Sequence, residues 1–309
     1  MSKIITITFN PALDKSMAIP KLVPEKKLKC SHQKVEPGGG GINVSRAMHN
    51  LGGYSEAVYL SGGYTGKQFE ALLIAENIVS TSLPISGATR ENFIIYDESA
   101  NLQYRFGMDG PYVEELETSQ VLSYIKQQEK VSYIIASGSL PPGVPATVFG
   151  QLALIAKQKN ARLVVDTSGE ALRNAVNEGV FLIKPNLSEL SSLYGKEKLE
   201  GEEISTAARS IINKGGCEVM VVSMGPEGAM LITAKEKFHV KPPQVTVLST
   251  VGAGDSMVAG IIMSIVNGLS YKESLYYGVA AGTAATLNAG TELCNKVDTE
   301  RLFLQLKQE

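Results

Sequence analysis

The chain has 309 residues, 44% hydrophobic and 19% charged, an ordinary globular balance with ample material for the core of a large α/β unit. Lysine plus arginine total 29 against 31 aspartate plus glutamate, and the net charge of −2 gives no basic field for nucleic acid or a membrane surface. Any anionic ligand must therefore be held by local features.

The opening segment MSKIITITFNP lacks the basic start and long apolar run of a signal peptide, and no apolar run is long enough to span a bilayer. The expectation is a soluble, cytoplasmic protein. Cys30, Cys217 and Cys294 are odd in number, far apart and without metal-ligand spacing, which argues for free thiols and against structural zinc or a disulfide framework. His32, His49 and His239 show no partner spacing and are assigned no chemistry.

Along the chain, KIITIT (Lys3–Thr8) reads as the first buried strand. Residues 14–36 include KLKCSHQKVE, which alternates like a strand with one covered face. VEPGGGGINVSRAMHNLGG (35–53) then sets four glycines before a helical pattern. Glycine has the most backbone freedom to lose on folding, so such a run needs a reason, and close approach to a bare backbone is one. GGYTGKQ (62–68) imitates a phosphate-binding loop, but Ser61 stands where its first glycine belongs and Gln68 where Ser or Thr is required. A loop turn is expected there. Residues 90–106 carry NFIIYDES and NLQYRF, which read as a hairpin.

From residue 132 onward short apolar runs alternate with amphipathic stretches. SYIIA (132–136), RLVVD (Arg162–Asp166), VFLIK (180–184) and EVMVVS (218–223) read as strands, and PATVFGQLALIAKQKN as a helix. This rhythm implies a mostly parallel sheet covered on both faces, with the strands of 14–36 and 90–106 projecting from it as an inserted appendage. A strand-like 245–248 leads into STVGAGDSMVAG (249–260) and two further helices, the second rich in small residues.

Three junctions carry polar residues. In GAGD, a Gly-x-Gly turn and helix N-terminus can cradle an anion, although Asp255 also suits a helix cap and the glycines a plain turn. The spacing and late position fit a dinucleotide fingerprint poorly. KPNLSEL puts Asn186 and Glu189 three apart, as a helix cap and first-turn carboxylate would be. ASGSLPPGVP puts Ser137, Gly138 and Ser139 after a buried strand. In a parallel sheet all such junctions fall on one edge, where ligands gather.

Taken in order, PGGGGINVSRA, SGSLPPGV, VDTSGEAL, KPNLSEL, SMGPEGA and STVGAGDSMVAG resemble the ribokinase-like (PfkB) carbohydrate kinases over nearly the whole chain. The resemblance implies a three-layer α/β/α body with a mostly parallel central sheet, in one domain over 1–309, with a β-strand lid from about 12–36 and 88–108. Relatives acting on other phosphosugars carry lysine in the glycine run; Gly40 at that position favours the 6-phosphofructokinase branch.

The same resemblance implies the roles. Asp255 would be the general base, with the amides of Gly252, Ala253 and Gly254 forming the anion hole. Asp14, Gly38, Gly39, Asn43 and Ser139 would hold the sugar, with Arg90 and Lys27 on its phosphate. Lys184 would assist the ATP phosphates, and Asn186 and Glu189 would organise Mg²⁺ through water. Ser223, Gly225 and Gly228 would form the nucleotide loop, beside Val279, Thr283 and Asn288. Carbonyls near Ser249, Val251, Ala285, Asn288 and Gly290 would bind K⁺, and paired lids would make a homodimer. The expected reaction is ATP-dependent phosphorylation of fructose 6-phosphate to fructose 1,6-bisphosphate, as in glycolysis. The alternatives are a 1-phosphofructokinase or tagatose-6-phosphate kinase, a non-catalytic sugar-phosphate sensor, and a nucleoside kinase.

Overall fold

The computed structural model describes residues 2–288 and 290–308. The main sheet comprises β1 (Lys3–Thr8), β4 (Glu56–Ser61), β5 (Ser80–Pro84), β8 (Val131–Ser137), β9 (Arg162–Asp166), β10 (Val180–Ile183), β11 (Cys217–Ser223), β12 (Ala229–Ile232) and β13 (Lys237–Val240). Their order is β13-β12-β11-β10-β9-β8-β1-β4-β5. Pairing is parallel from β11 to β5, and only β12 and β13 at one edge are antiparallel.

The central strands are continuous apolar runs because both faces are covered. On one face, Val121 and Ile125 of α3 (Glu115–Gln127), Phe149 and Leu152 of α4 (Val148–Gln158), Leu172 of α5 (Gly169–Glu178), Leu190 of α6 (Leu187–Tyr194) and Ile211 of α7 (Glu202–Asn213) join strand residues in one core. On the other, Met48 of α1 (Gly40–Asn50), Ile262 of α8 (Ala253–Val266), Ala281 of α9 (Tyr271–Thr286) and Leu302 of α10 (Lys296–Leu306) form a second. Small residues let α8 and α9 approach closely, since a Cβ on Gly260 would lie 3.0 Å from that of Ala281.

The remaining strands, β2 (Ala12–Ile19), β3 (Ser31–Gly38), β6 (Arg90–Asp97) and β7 (Leu102–Phe106), make a separate sheet ordered β3-β2-β6-β7. The expected hairpin is β6–β7, while β2 joins β6 in parallel. All three cysteines are free, Cys30 exposed and the others buried.

Two local expectations are corrected. Residues 62–68 are not a loop turn: Gly62 caps α2 (Gly63–Ala75), and Phe69 and Leu73 anchor that helix against Tyr59. Residues 245–248 form no strand; Val247 and Leu248 are exposed, and Leu248 N–H donates to Thr286 O instead of a sheet neighbour.

Candidate active site

The C-terminal ends of the parallel strands meet one edge, and there the four glycines are packed against the chain itself. A Cβ on Gly38 would collide with the Asp14 carboxylate, and one on Gly39, whose φ is +117°, would lie 2.9 Å from Thr8 Cγ2. At Gly40 it would strike Ser137 and come within 2.6 Å of Gly138 N; at Gly41 it would meet Ile7 O at 2.5 Å. The run thus wedges the start of α1 against the ends of β1 and β8. Packing against the protein itself already excludes side chains there.

One turn into α1, Asn43 Nδ2 donates to Asp255 Oδ2 at 2.9 Å. Asp255 is not the cap of its helix. Gly252, at φ +73° in the left-handed region, occupies the cap, and Asp255 sits in the first turn of α8 with its side chain turned to Asn43. Burial pushes its carboxyl up to about 7; Asp166 adds to the rise, while hydrogen bonds from Asn43 and Ser137 and the Lys184 ammonium oppose it. A carboxylate tuned near neutrality beside free helix-terminal amides can take a proton while those amides hold an anion.

Lys184 is buried at the end of β10 and pairs with Asp166 at 3.2 Å. Burial lowers its pKa, but Asp166, then Asp255 and Glu189, outweigh that, so the net shift is upward and the ammonium persists. Asn186 and Glu189 form a reciprocal capping box: Glu189 N–H donates to Asn186 Oδ1 at 2.9 Å, and Asn186 N–H to Glu189 Oε2 at 2.8 Å. The cap reading is therefore realised, yet Glu189 also lines a cleft of about 310 Å³ with Asp255, Asp166, Ser139 and Gly40. Burial, with Asp166, raises the Glu189 pKa against the Asn186 amide and Lys184.

A second cleft of about 460 Å³ lies on the other side of the GAGD turn, lined mostly by apolar atoms. Ser223, Gly225, Gly228, Val279, Thr283 and Gly254 are among its walls. Asn288 is outside that lining and donates to Leu293 O at 2.9 Å. The apolar cleft and the acidic cleft meet at Gly254 and Asp255.

On the side of the small sheet, Asp14 is buried, with Asn92 Nδ2 donating to its Oδ1 at 2.9 Å. Burial lifts its carboxyl to about 6, against the Asn92 bond and the Arg90 charge. Arg90 donates to Asn10 O at 3.0 Å and to Met108 O, and its buried Nε has no partner among the described residues. It lines a third cleft, about 660 Å³, with Asn10, Asp109 and Ser139. Burial lowers its pKa against the pull of Asp14 and Asp109. Lys27 is not brought in; it is exposed between β2 and β3 and lines none of these clefts.

Of the residues expected around a monovalent cation, Ser249 Oγ donates to Gly290 O at 2.7 Å and accepts from Val251 N at 3.2 Å. Ala285 is buried in α9, its carbonyl accepting from Asn288 N at 3.3 Å. Sequence reading passed over Asp166 and Asn10, and placed Ser137 at a strand-end junction without giving it a role. Each ends or follows a buried strand, a positional signal that could have flagged them.

Comparison with known proteins identifies what the chain is similar to. A family model described as pfkB family carbohydrate kinase matches residues 5–298. The ATP-dependent 6-phosphofructokinase isozyme 2 of Escherichia coli (strain K12) is 40% identical over 309 residues, all of both chains. A 1-phosphofructokinase of Borreliella burgdorferi is 30% identical over 307 residues, 99% of this chain and 98% of the relative. Solved structures of the E. coli phosphofructokinase-2 cover 99% of this chain and all of theirs. The TM-score is 0.96 at 40% identity for its complex with potassium, and 0.94 at 39% for its complex with fructose-6-phosphate. For its tetrameric inhibited form it is 0.94 at 40%.

Proposed function

The chain belongs to the pfkB family of carbohydrate kinases, and on that premise we propose that it phosphorylates the C1 hydroxyl of fructose 6-phosphate with ATP. The observation that carries this reading is the place of Asp255, at the first turn of α8 where the apolar cleft meets the acidic one. A nucleotide in the apolar cleft would bring its phosphates to the amides of 252–255, and a sugar hydroxyl beside Asp255 could then lose its proton as it attacks.

Phosphoryl transfer is mostly positioning and charge stabilisation, so each element has a stated task. Asp255 accepts the hydroxyl proton; its raised pKa matches a base working near neutrality. The helix-terminal amides meet the charge on the transferring group without needing to reorganise. Lys184, kept charged and immobile by Asp166, faces the same turn, its Nζ 3.4 Å from where a Cβ on Gly254 would stand. Arg90 and Asp14 bind the sugar phosphate and a sugar hydroxyl.

The donor set fits Mg²⁺ of the kind held chiefly by substrate phosphates and water. Among the described residues no group of three or more metal-ligating side chains forms a cage, but Glu189 and Asp166 offer carboxylate oxygens on the cleft. Bound there, Mg²⁺ would neutralise phosphate charge. The oxygen atoms of Ser249, Val251 and Gly290 would hold K⁺, tested by comparing rates in potassium and tetramethylammonium chloride. The small sheet acts as the lid, in one domain with the body over 1–309, and its exposed edges pair with a second copy. Among the described residues no helix is long and apolar enough to cross a membrane, and we place the protein in the cytoplasm.

The test is ADP release with fructose 6-phosphate, fructose 1-phosphate, tagatose 6-phosphate, ribose and adenosine. Highest kcat/KM for fructose 6-phosphate is expected. Preference for another phosphosugar would overturn the sugar assignment, and binding without turnover of any would favour a sensor.

A further inference from the structure

One loop joins the lid to the phosphoryl-transfer turn, and of its residues only Gly290 has a role above, toward K⁺. Residues 290–294 are tied to both sides. Toward the lid, Thr291 Oγ1 donates to Glu36 Oε2 at 2.6 Å, and Lys34 Nζ reaches Glu292 Oε1 at 2.5 Å. Toward the turn, Ser249 Oγ donates to Gly290 O at 2.7 Å and accepts from Val251 N at 3.2 Å. Cys294 N–H donates at 3.3 Å to Ser256 Oγ, the residue after Asp255.

The lid end is fixed from within. Glu36 and Thr291 are only 5% and 3% exposed. Glu36 pairs directly with Asp14 in the β2–β3 ladder, which puts both carboxylates on one face of the lid. Its Oε1 meets Arg46 Nη2 at 3.4 Å, and Arg46 grips Glu76 in a fork of 2.6 and 2.8 Å and Pro37 O at 2.9 Å. A buried carboxylate so held transmits displacement, because losing the Thr291 donor would leave Oε2 unsatisfied. A second lid contact, Arg105 Nη2 to Thr250 Oγ1 at 3.0 Å, lands on the same turn.

Resting on the kinase reading, we propose that Thr291 and Glu36 are positioning residues that link sugar binding at Asp14 to the geometry of the 249–255 turn. Sugar and nucleotide then strengthen each other's binding, by equal factors because linkage is reciprocal.

The test is calorimetric titration of the full chain with fructose 6-phosphate, alone and with saturating magnesium AMP-PNP. In the wild type the nucleotide analogue tightens the sugar by about 5-fold or more. Thr291→Val keeps the volume and removes the donor. It brings that ratio within about 2-fold of unity with both binary Kd values retained, and Thr291→Ser restores it. Lys34→Ala removes the exposed pair with Glu292 and the 3.2 Å pair with the buried Glu36; it lowers the ratio partway and decides the matter if the valine variant does not fold. A wild-type ratio of unity would overturn the link. So would full coupling in Thr291→Val or Lys34→Ala, or no rescue by serine. If turnover selects fructose 1-phosphate or tagatose 6-phosphate, the titration uses that sugar, so the sugar assignment can fail while the link stands. Coupled binding without turnover would sink the kinase reading alone.

Discussion

With Asp255 raised to about 7, kcat/KM should climb with pH through that region and level off above it, since only the ionised carboxylate accepts a proton. The structure supplies two handles that move this limb in opposite directions. Asn43 donates to the ionised form, so Asn43→Leu should raise the pKa. A hydrogen bond to a charged group is worth ~1.5–3 kcal/mol, and 1.36 kcal/mol is about one unit, so the limb should move up by about one to two units. A one-unit rise cuts the ionised fraction at pH 7 from about half to about one-tenth. Asp166→Asn should move the limb down, because it removes a like charge and frees Lys184 to favour the Asp255 anion. Asp255→Asn should lose the limb and at least ~10²-fold in kcat while still binding nucleotide. The assay is steady-state kcat/KM for the sugar at saturating magnesium ATP, from about pH 5 to pH 9, which reports groups of the enzyme–nucleotide complex that meets the sugar. A limb unmoved by both neighbours, or near-normal kcat in Asp255→Asn, would refute the assignment. Stability follows the same sign. A carboxyl with a raised folded pKa contributes stability below its unfolded value that is lost as pH rises through about 7. Asp255→Asn should therefore melt higher than wild type above pH 7 and converge with it in acid.

Arg90→Ala should raise KM for the phosphorylated sugar by ~10-fold or more and leave KM for ATP nearly unchanged; equal effects on both would make Arg90 a structural tie to Asn10 and Met108. Gly40→Ala should cost ~1–3 kcal/mol in urea unfolding, because its Cβ meets Ser137 and the Gly138 backbone; a neutral result would mean the turn yields freely. Sedimentation should give a dimer that a Leu102→Asp substitution in the exposed edge strand β7 weakens, and a wild-type monomer at micromolar concentration would refute lid pairing.

Much of this site could be read before folding because its parts are local. A Gly-x-Gly turn opening an apolar helix, a capping pair three apart and strand ends rich in Ser and Asn are short-range patterns, and they placed Asp255, Glu189 and Ser139 on one edge. Periodicity alone misled at 245–248, where an apolar run had no sheet neighbour, and motif comparison alone at 62–68, where Phe69 and Leu73 complete a helix.

The sequence by itself determined the strand–helix alternation over residues 132–223, the turns that demand glycine, and the residues available for phosphoryl transfer. Tertiary structure alone decided what those residues are. Asn43 and Asp255 are 212 positions apart, and Thr291 and Glu36 are 255 apart, yet each pair shares a hydrogen bond. Whether a carboxyl is an exposed cap or a base near neutrality depends on burial and on charges brought from remote strands. Those terms exist only once the chain has closed around them.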